Sequence, residues 1–471
     1  MERPKNVLFL WTDQQRPDTI GAYANPQITT PNLDRLAATG ALFESAYCAQ
    51  PVCSPSRASV LTGLYPHTHG VTANNTPLPV RAITIAELLP DSYACGYVGK
   101  WHLGREHAAQ RGFDDFWSST EDYKAGYAEG DPAAVAPSDY RAFLTECGYD
   151  ADTGGHAIGR EAAARLPEEV GKPAFQAQEC RRFLDTFGGQ PFFLMCNFLE
   201  PHPPVTGPLD DLYRPGEMTL PESWYREMEP TVPARFRQRR DPALYPNHYT
   251  NLPSNDELGW KTLKARYWGL ATLVDRYCGA ILDHLDALGL KDDTIVVYST
   301  DHGDMMGEHR LLNKGVPYEG SARVPLIIRV PGLAPRRITT PVSQVQLVAT
   351  LLELLGQPVP THLQGESFAP LLAGQHAGPE EVVVEWNGFD GTPGDRRGPE
   401  PPEVRTIRRG QWKLNVHASG EHELYDLQAD PGELHNAFSD PGSTVVRGDL
   451  FDRLLRWQRR TGDPLALQPL H

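Results

Sequence analysis

Two short runs, Asn6–Thr12 (NVLFLWT) and Thr294–Thr300 (TIVVYST), constrain this chain more than any other feature. Each is apolar or β-branched nearly throughout and stops at an aspartate, Asp13 or Asp301. A strand without a polar face must be covered on both sides, which is the condition of a strand inside a parallel sheet. Tyr93–Trp101, Pro191–Phe198 and Pro325–Val330 read the same way. Helical patterns lie between them. Asn32–Thr39 follows Pro31 and stops before Gly40, and Pro55–Thr62 is closed by Gly63. Leu263–Leu288 is apolar at Leu263, Tyr267, Leu270, Val274, Tyr277, Ile281 and Leu285, the steps of one helical face. Val342–Leu355 reads as a further helix. Strands alternating with helices predict an α/β fold: a large mixed, mostly parallel sheet sandwiched by helices.

The end of the chain reads differently. Residues 387–402 hold four Gly and four Pro and predict a loop. Val404–Val416 and Glu423–Leu427 read as antiparallel strands, and Val445–Arg460 as a closing helix. A smaller C-terminal α+β subdomain is expected over residues 376–471, after a catalytic domain over 1–375. Residues 119–190 show weak periodicity and take no assignment. Residues 203–258, rich in Pro, Arg and Tyr, are expected to form a long surface excursion.

The formal net charge of −16 argues against nucleic acid or an anionic membrane as a partner, so an anionic substrate must be met by a local basic pocket. The apolar run Val7–Trp11 is far too short for a signal segment or a membrane span. The seven cysteines show no paired spacing, which fits free thiols in a reducing compartment. A cytoplasmic location is expected.

Chemistry concentrates at Cys53-Ser54-Pro55-Ser56-Arg57. Pro55 favours a helix start, which places Cys53 beside unpaired backbone N–H groups. A helix N-terminus attracts anions and lowers a thiol pKa, and Arg57 adds a fixed cation one turn on. Such a site suits a tetrahedral oxyanion. The same residues also describe a buried cysteine beside an ordinary capped helix. A second cluster sets Asp13-Gln14 against Asp301-His302, each pair just past the C-terminal end of an expected parallel strand, the edge where ligands bind in such sheets. Two carboxylates, an amide oxygen, an imidazole and the nucleophile at position 53 suffice to hold a divalent cation. A third cluster is cationic: Arg57, Lys100, His102, His202 and Lys314. Lys100 and His102, two apart on an expected strand, would face the same side. Each of these residues alone would be a solvated charge or a satisfied histidine.

CSPSRASVLTG resembles the sulfatase signature, C-x-P-S-R followed by a short helix ending in T-G. NVLFLWTDQQRPDTIGAY, TTPNLDRLAATGALFESAYCAQPVCSPSR, GYVGKWHLG, FLEPHPPV, STDHGDMMGEH and ARVPLIIRVPG resemble blocks of that family, in family order. RRGQWKLNVH and ELYDLQADPGELHN resemble its C-terminal subdomain. The resemblance covers most of the chain and is weakest at 119–190 and 203–258. It implies an alkaline phosphatase-like fold and a formylglycine made from Cys53 by a separate formylglycine-generating enzyme. It also implies one cation held by Asp13, Gln14, Asp301, His302 and residue 53. Sulfatases usually carry Asp-Asp and Asp-Asn at the paired positions. Asp-Gln and Asp-His stand here, as in some sulfatases and in the related phosphonate monoester hydrolases. Ca²⁺ is the family's usual ion, imidazole suits Mn²⁺ better, and Mg²⁺ is a further candidate. By the same resemblance Lys100 and Lys314 bind sulfate, His102 contacts the formylglycine, His202 lies near the leaving-group oxygen, and Asn74 contacts substrate.

A thiolate attacking sulfur would leave a stable S-sulfonate. A hydrated aldehyde takes the sulfuryl group on one oxygen and expels sulfate through the other. The resemblance gives Lys100, Lys314 and Arg57 the task of neutralising charge, His202 or Lys314 that of protonating the leaving alcohol, and His102 that of base. The rival readings are a phosphonate monoester or phosphodiester hydrolase and a non-catalytic binding protein with an unmodified Cys53. The acidic surface favours a small substrate, such as a sulfated mono- or disaccharide or an aryl or alkyl sulfate, over a polyanion. Specificity is expected in the loops within 119–190, 203–258 and 387–402.

Overall fold

A computed structural model describes residues 5–127, 131, 136–149, 159–244, 251–375, 381–388 and 403–470. Strands β1 (Asn6–Asp13), β2 (Ala41–Tyr47), β3 (Ala94–Gly99), β4 (Phe116–Ser119), β5 (Phe192–Pro201), β6 (Thr294–Thr300), β7 (Arg323–Arg329) and β8 (Arg336–Ile338) form one sheet. Their order is β4-β3-β5-β1-β6-β7-β2-β8, and the short β9 (Val342–Ser343) also pairs with β2. All neighbours are parallel except at β7, which runs against both β6 and β2.

The strand β1 is apolar on both faces because both are covered. Val7, Phe9 and Trp11 point to one side. There they meet helices α2 (Cys53–Thr62) and α5 (Leu347–Leu355) through Ala58, Leu61, Leu347 and Leu351. Leu8 and Leu10 point to the other, against α1 (Pro31–Thr39), α3 (Lys172–Phe187) and α4 (Glu257–Ala287), through Leu33, Phe183, Val274 and Ile281. Each such side chain contributes about 1.5–3 kcal/mol by leaving water. The register then positions the site. In β1, Thr12 lies opposite Thr300 of β6, so Asp13 and Asp301 emerge side by side at one edge.

A second sheet, β10 (Glu381–Trp386), β11 (Val404–Arg409), β12 (Trp412–His417) and β13 (Glu423–Asp426), is antiparallel in that order and is covered by α6 (Thr444–Thr461). It packs onto the large sheet's body through Val383, Leu414 and Trp457 against Ala49, Tyr65 and Val345. The buried Lys413 adds ion pairs to Glu319 at 3.0 Å and Glu433 at 2.8 Å. Residues 376–380, where the domain boundary was expected, and 389–402 of the expected loop lie outside the described residues. Among the described residues no helix is long and apolar enough to cross a membrane, and all seven cysteines are free thiols.

Several expectations need correction. Val404–Val416 is not one strand but a hairpin that turns at Gly410, whose φ is +56°. The strand β10 was missed. Val342–Leu355 is not one helix: Val342 and Ser343 join the sheet, and the capping box between Ser343 and Gln346 starts a 3₁₀ turn that leads into α5. The excursion 203–258 is not wholly at the surface. Met218 and Trp224 are buried against α4, and Phe236 lies against Tyr318 and Tyr425. Residues 245–250 of it lie outside the described residues.

Candidate active site

The two strand ends are tied by one carboxylate oxygen. Gln14, in a left-handed turn with φ +64°, donates its N–H to Asp301 Oδ1 at 3.0 Å, and His302 donates its own to the same oxygen at 2.9 Å. Cys53 opens α2 directly above them. Its Sγ lies 3.3 Å from His302 Nε2 and 3.8 Å from Asp13 Oδ1. Asp13, Cys53, Asp301 and His302 are all buried, and each offers one ligand atom within 4.8 Å of the others. Two carboxylates, an imidazole and the residue-53 heteroatom form a donor set that fits a divalent cation.

The helix start differs from expectation. Helix α2 begins at Cys53, so Pro55 is its third residue, not its first. Ser54 donates its N–H to Asn74 Oδ1 at 3.1 Å, Ser56 donates to Val52 O at 3.0 Å, and Pro55 has none to give. A row of unpaired N–H groups is therefore not what surrounds Cys53. Positive charge comes from lysines instead. Burial and Asp13 push the Cys53 thiol up, Lys100 and Lys314 pull it down, and the net position is below its ordinary value.

Arg57 is also placed differently. It is 1% exposed and bonded on every side: Nη2 to Asp13 Oδ2 at 2.9 Å, Nε to Asp301 Oδ2 at 3.1 Å, and Nη1 to Lys100 O at 2.7 Å and Asn197 Oδ1 at 3.2 Å. It braces the carboxylates, so a role facing the transition state is not what this geometry offers. Lys100, fully buried, adds a second ion pair to Asp13 Oδ2 at 2.6 Å. Burial alone would raise the Asp13 carboxyl, but Lys100, His202 and Arg57 hold it well below its usual range. Both cations sit on Oδ2, which leaves Oδ1 turned toward Cys53. Burial lowers His302, but Asp301 and Cys53 outweigh it and raise its pKa.

Lys314 Nζ donates to Gln14 Oε1 at 2.6 Å. The Gln14 amide nitrogen donates to Asp304 Oδ2 at 2.5 Å and Asn313 Oδ1 at 3.1 Å. Gln14 thus lies beside the cluster with its oxygen committed to Lys314, unlike Asp13, Asp301 and His302.

Lys100 and His102 do not share a strand. The strand β3 stops at Gly99, whose φ is +108° and where an added Cβ would lie 2.1 Å from Asn197 O. The chain turns there, and Glu106 accepts the N–H groups of Trp101 and His102 at 2.7 and 2.8 Å. His102 stacks on Tyr123 at 3.9 Å and its Nε2 meets Asn75 Oδ1 at 2.8 Å. Its Nδ1 is buried without a partner among the described residues. Burial, Lys100 and Arg57 hold His102 well below the usual histidine pKa, so the ring is neutral. His202, just past β5, is held low by burial and Lys314, and its Nδ1 lies 2.7 Å from Pro203 O. That contact assigns the proton to Nδ1 and leaves Nε2 as an acceptor.

Sequence reading missed Tyr123, Glu106, Asn197 and Asp304. Tyr123 lies in the weakly periodic stretch and gives no local signal, yet it covers Lys100 Nζ at 5.5 Å as well as His102. Asp304 had a signal, its place two residues past His302 in the acid-rich segment DHGD.

The chain is similar to known proteins along most of its length. A family model described as Sulfatase matches residues 5–357, and one described as N-sulphoglucosamine sulphohydrolase, C-terminal, matches 307–460. The uncharacterized sulfatase YidJ of Escherichia coli (strain K12) is 30% identical, over 98% of this chain and 89% of its own length. The ulvan-active sulfatase of Formosa agariphila is 30% identical, over 97% of this chain and 82% of its own. The solved structure of the phosphonate monoester hydrolase SpPMH from Silicibacter pomeroyi superposes with a TM-score of 0.78 at 25% identity, covering 97% of this chain and 96% of that one.

Proposed function

From the premise that the chain belongs to the sulfatase family and is a sulfuric ester hydrolase, we propose that it acts through a formylglycine made from Cys53 and one divalent cation. The observation that carries this is the position of Cys53 Sγ, 3.3 Å from His302 and 3.8 Å from Asp13, inside a cluster of metal-ligand chemistry. Asp13, Asp301, His302 and the oxygen of residue 53 would hold the cation, with Gln14 joining once its amide oxygen leaves Lys314. When bound, the cation supplies Lewis acidity, drawing charge from the sulfate and making a nearby hydroxyl more acidic. The aldehyde at position 53, once water has added to it, supplies paired hydroxyls that avoid the S-sulfonate dead end.

The chain's own residues do the rest. Arg57 and Lys100 fix Asp13 by Oδ2 and leave Oδ1 facing residue 53. Lys100 and Lys314, whose charges both act on Cys53, receive the charge of the sulfate. His102, neutral and with Nδ1 unpartnered among the described residues, takes a proton from residue 53. Lys314 Nζ supplies the proton to the leaving oxygen, because His202 is held neutral with Nε2 as an acceptor. The substrate class is a small sulfate ester of a sugar, aryl or alkyl alcohol. Mass spectrometry of the Cys53 peptide from an active preparation tests the chemistry: formylglycine is expected, and full activity with an entirely unmodified thiol sinks it.

A second reading, phosphonate monoester hydrolysis, is supported by the Asp-Gln and Asp-His pairs and by the likeness to SpPMH. Turnover of phenyl sulfate against phenyl phosphonate monoester decides between them. Sulfate is expected to be the faster by at least about tenfold, and the reverse order would transfer the assignment to phosphonates.

A further inference from the structure

A narrow cleft runs from His202 between the segment around Arg160 and helix α4. Ala163, Leu270 and Leu273 give it apolar walls; Arg160, Lys172 and Glu200 give it charge. The two cations are committed. Arg160 Nη2 bonds Glu121 at 2.7 Å, and Lys172 pairs with the same carboxylate. Glu200 is not committed in this way. Its Oε2 is buried without a hydrogen-bond partner among the described residues, two positions before His202. Burial, opposed by Lys172 and Arg160 and supported by Glu121, pushes its carboxyl up to about 7.

A buried carboxyl oxygen with no partner is costly and calls for a donor. Glu200 lines the cleft, so a molecule bound there can supply that donor. Resting on the sulfatase reading above, we propose that Glu200 is a specificity residue. With this cleft it receives the alcohol half of the substrate and selects a neutral, hydroxyl-bearing ring over one carrying a second anionic group. A ring hydroxyl supplies the hydrogen bond that Oε2 lacks. The C–H face of the ring lies on Ala163, Leu270 and Leu273. A second sulfate or a carboxylate at that point has no proton to donate to Glu200 Oε2, and both wall cations are already bonded to Glu121.

The test uses the formylglycine-bearing enzyme with 4-nitrophenyl sulfate, the positional monosulfates of glucose, galactose and N-acetylglucosamine, and the corresponding sulfated uronates. At least one neutral sugar sulfate is expected to exceed every uronate in kcat/KM by about tenfold or more. Glu200→Ala is expected to lose about tenfold more on that sugar sulfate than on 4-nitrophenyl sulfate, which offers no ring hydroxyl. The wild-type panel needs no variant and stands even where Glu200→Ala does not fold. Preference for uronates, hydrolysis of the aryl sulfate with no neutral sugar sulfate, or equal losses on both substrates overturns the proposal and leaves the sulfatase reading intact. Failure on every sulfate, the aryl ester included, overturns both.

Discussion

Replacing Arg57 by Met removes a charge that is 1% exposed while keeping its volume, and the structure allows the cost to be apportioned. Asp13 Oδ2 keeps Lys100 Nζ at 2.6 Å, and Lys100 O keeps the Tyr97 hydroxyl at 2.7 Å. Asp301 Oδ2 loses the guanidinium at 3.1 Å, and Asn197 Oδ1 loses a donor at 3.2 Å. Stripping one partner from a buried ion pair costs about 3–5 kcal/mol, and the lost hydrogen bond falls within that spread. Arg57→Met is therefore expected to lose about 4 kcal/mol in urea unfolding with chelator present. A divalent cation at about a hundred times its dissociation constant should return roughly 2.7 kcal/mol if it binds the same carboxylates. The double variant Arg57→Met/Asp301→Asn should be more stable than Arg57→Met alone, because it no longer buries an unpaired charge. A loss below about 1 kcal/mol, or a double variant weaker than the single, would refute the bracing role.

Burial pushes the Glu106 carboxyl up to about 7, above its ordinary 4.5, so the folded state binds more protons in that window and stability falls as pH rises through it. Glu106→Gln should flatten that slope, worth about 3 kcal/mol, in unfolding measured across the window; an unchanged slope would assign it elsewhere. Lys413→Met leaves Glu319 and Glu433 facing each other and should cost about 3–5 kcal/mol, with limited proteolysis releasing the C-terminal sheet first. Tyr123→Ala should lower kcat by about tenfold or more through loss of the stack on His102, while Tyr123→Phe, which keeps the ring, should retain most activity. Equal losses would move the effect to the hydroxyl.

Much of the catalytic edge was legible because it rests on short-range signals. The apolar runs of β1 and β6 fix two central strands, and parallel pairing then brings Asp13 and Asp301 together. The motif at Cys53 is contiguous. What was not legible depends on contacts between distant segments. Arg57 reads as a free cation until Asp13 and Asp301 are folded around it. Gln14 reads as a ligand, and nothing local shows that its oxygen also meets Lys314, 300 residues on. Lys100 and His102 read as strand neighbours because nothing local shows that Asn197 O forces the turn at Gly99. Tyr123 has no pattern around it at all. Trp224 and Phe236 were read as surface because Pro and Arg dominate their neighbourhood, and only α4 and the second sheet explain their burial.

The register of β1 also sets a clock. Its partners are Phe193 on one side and Ile295 on the other, opposite Val7, so the floor beneath Cys53 is incomplete until β6 has been made. Thr294 follows Cys53 by 241 residues, the difference of the two positions. At about 5–20 residues per second that is roughly 12–48 s of synthesis. In the finished molecule the thiol is 1% exposed. On the proposed chemistry, an enzyme that converts Cys53 must therefore act on the growing or still-open chain, and slower translation between Cys53 and Thr294 should raise the fraction converted.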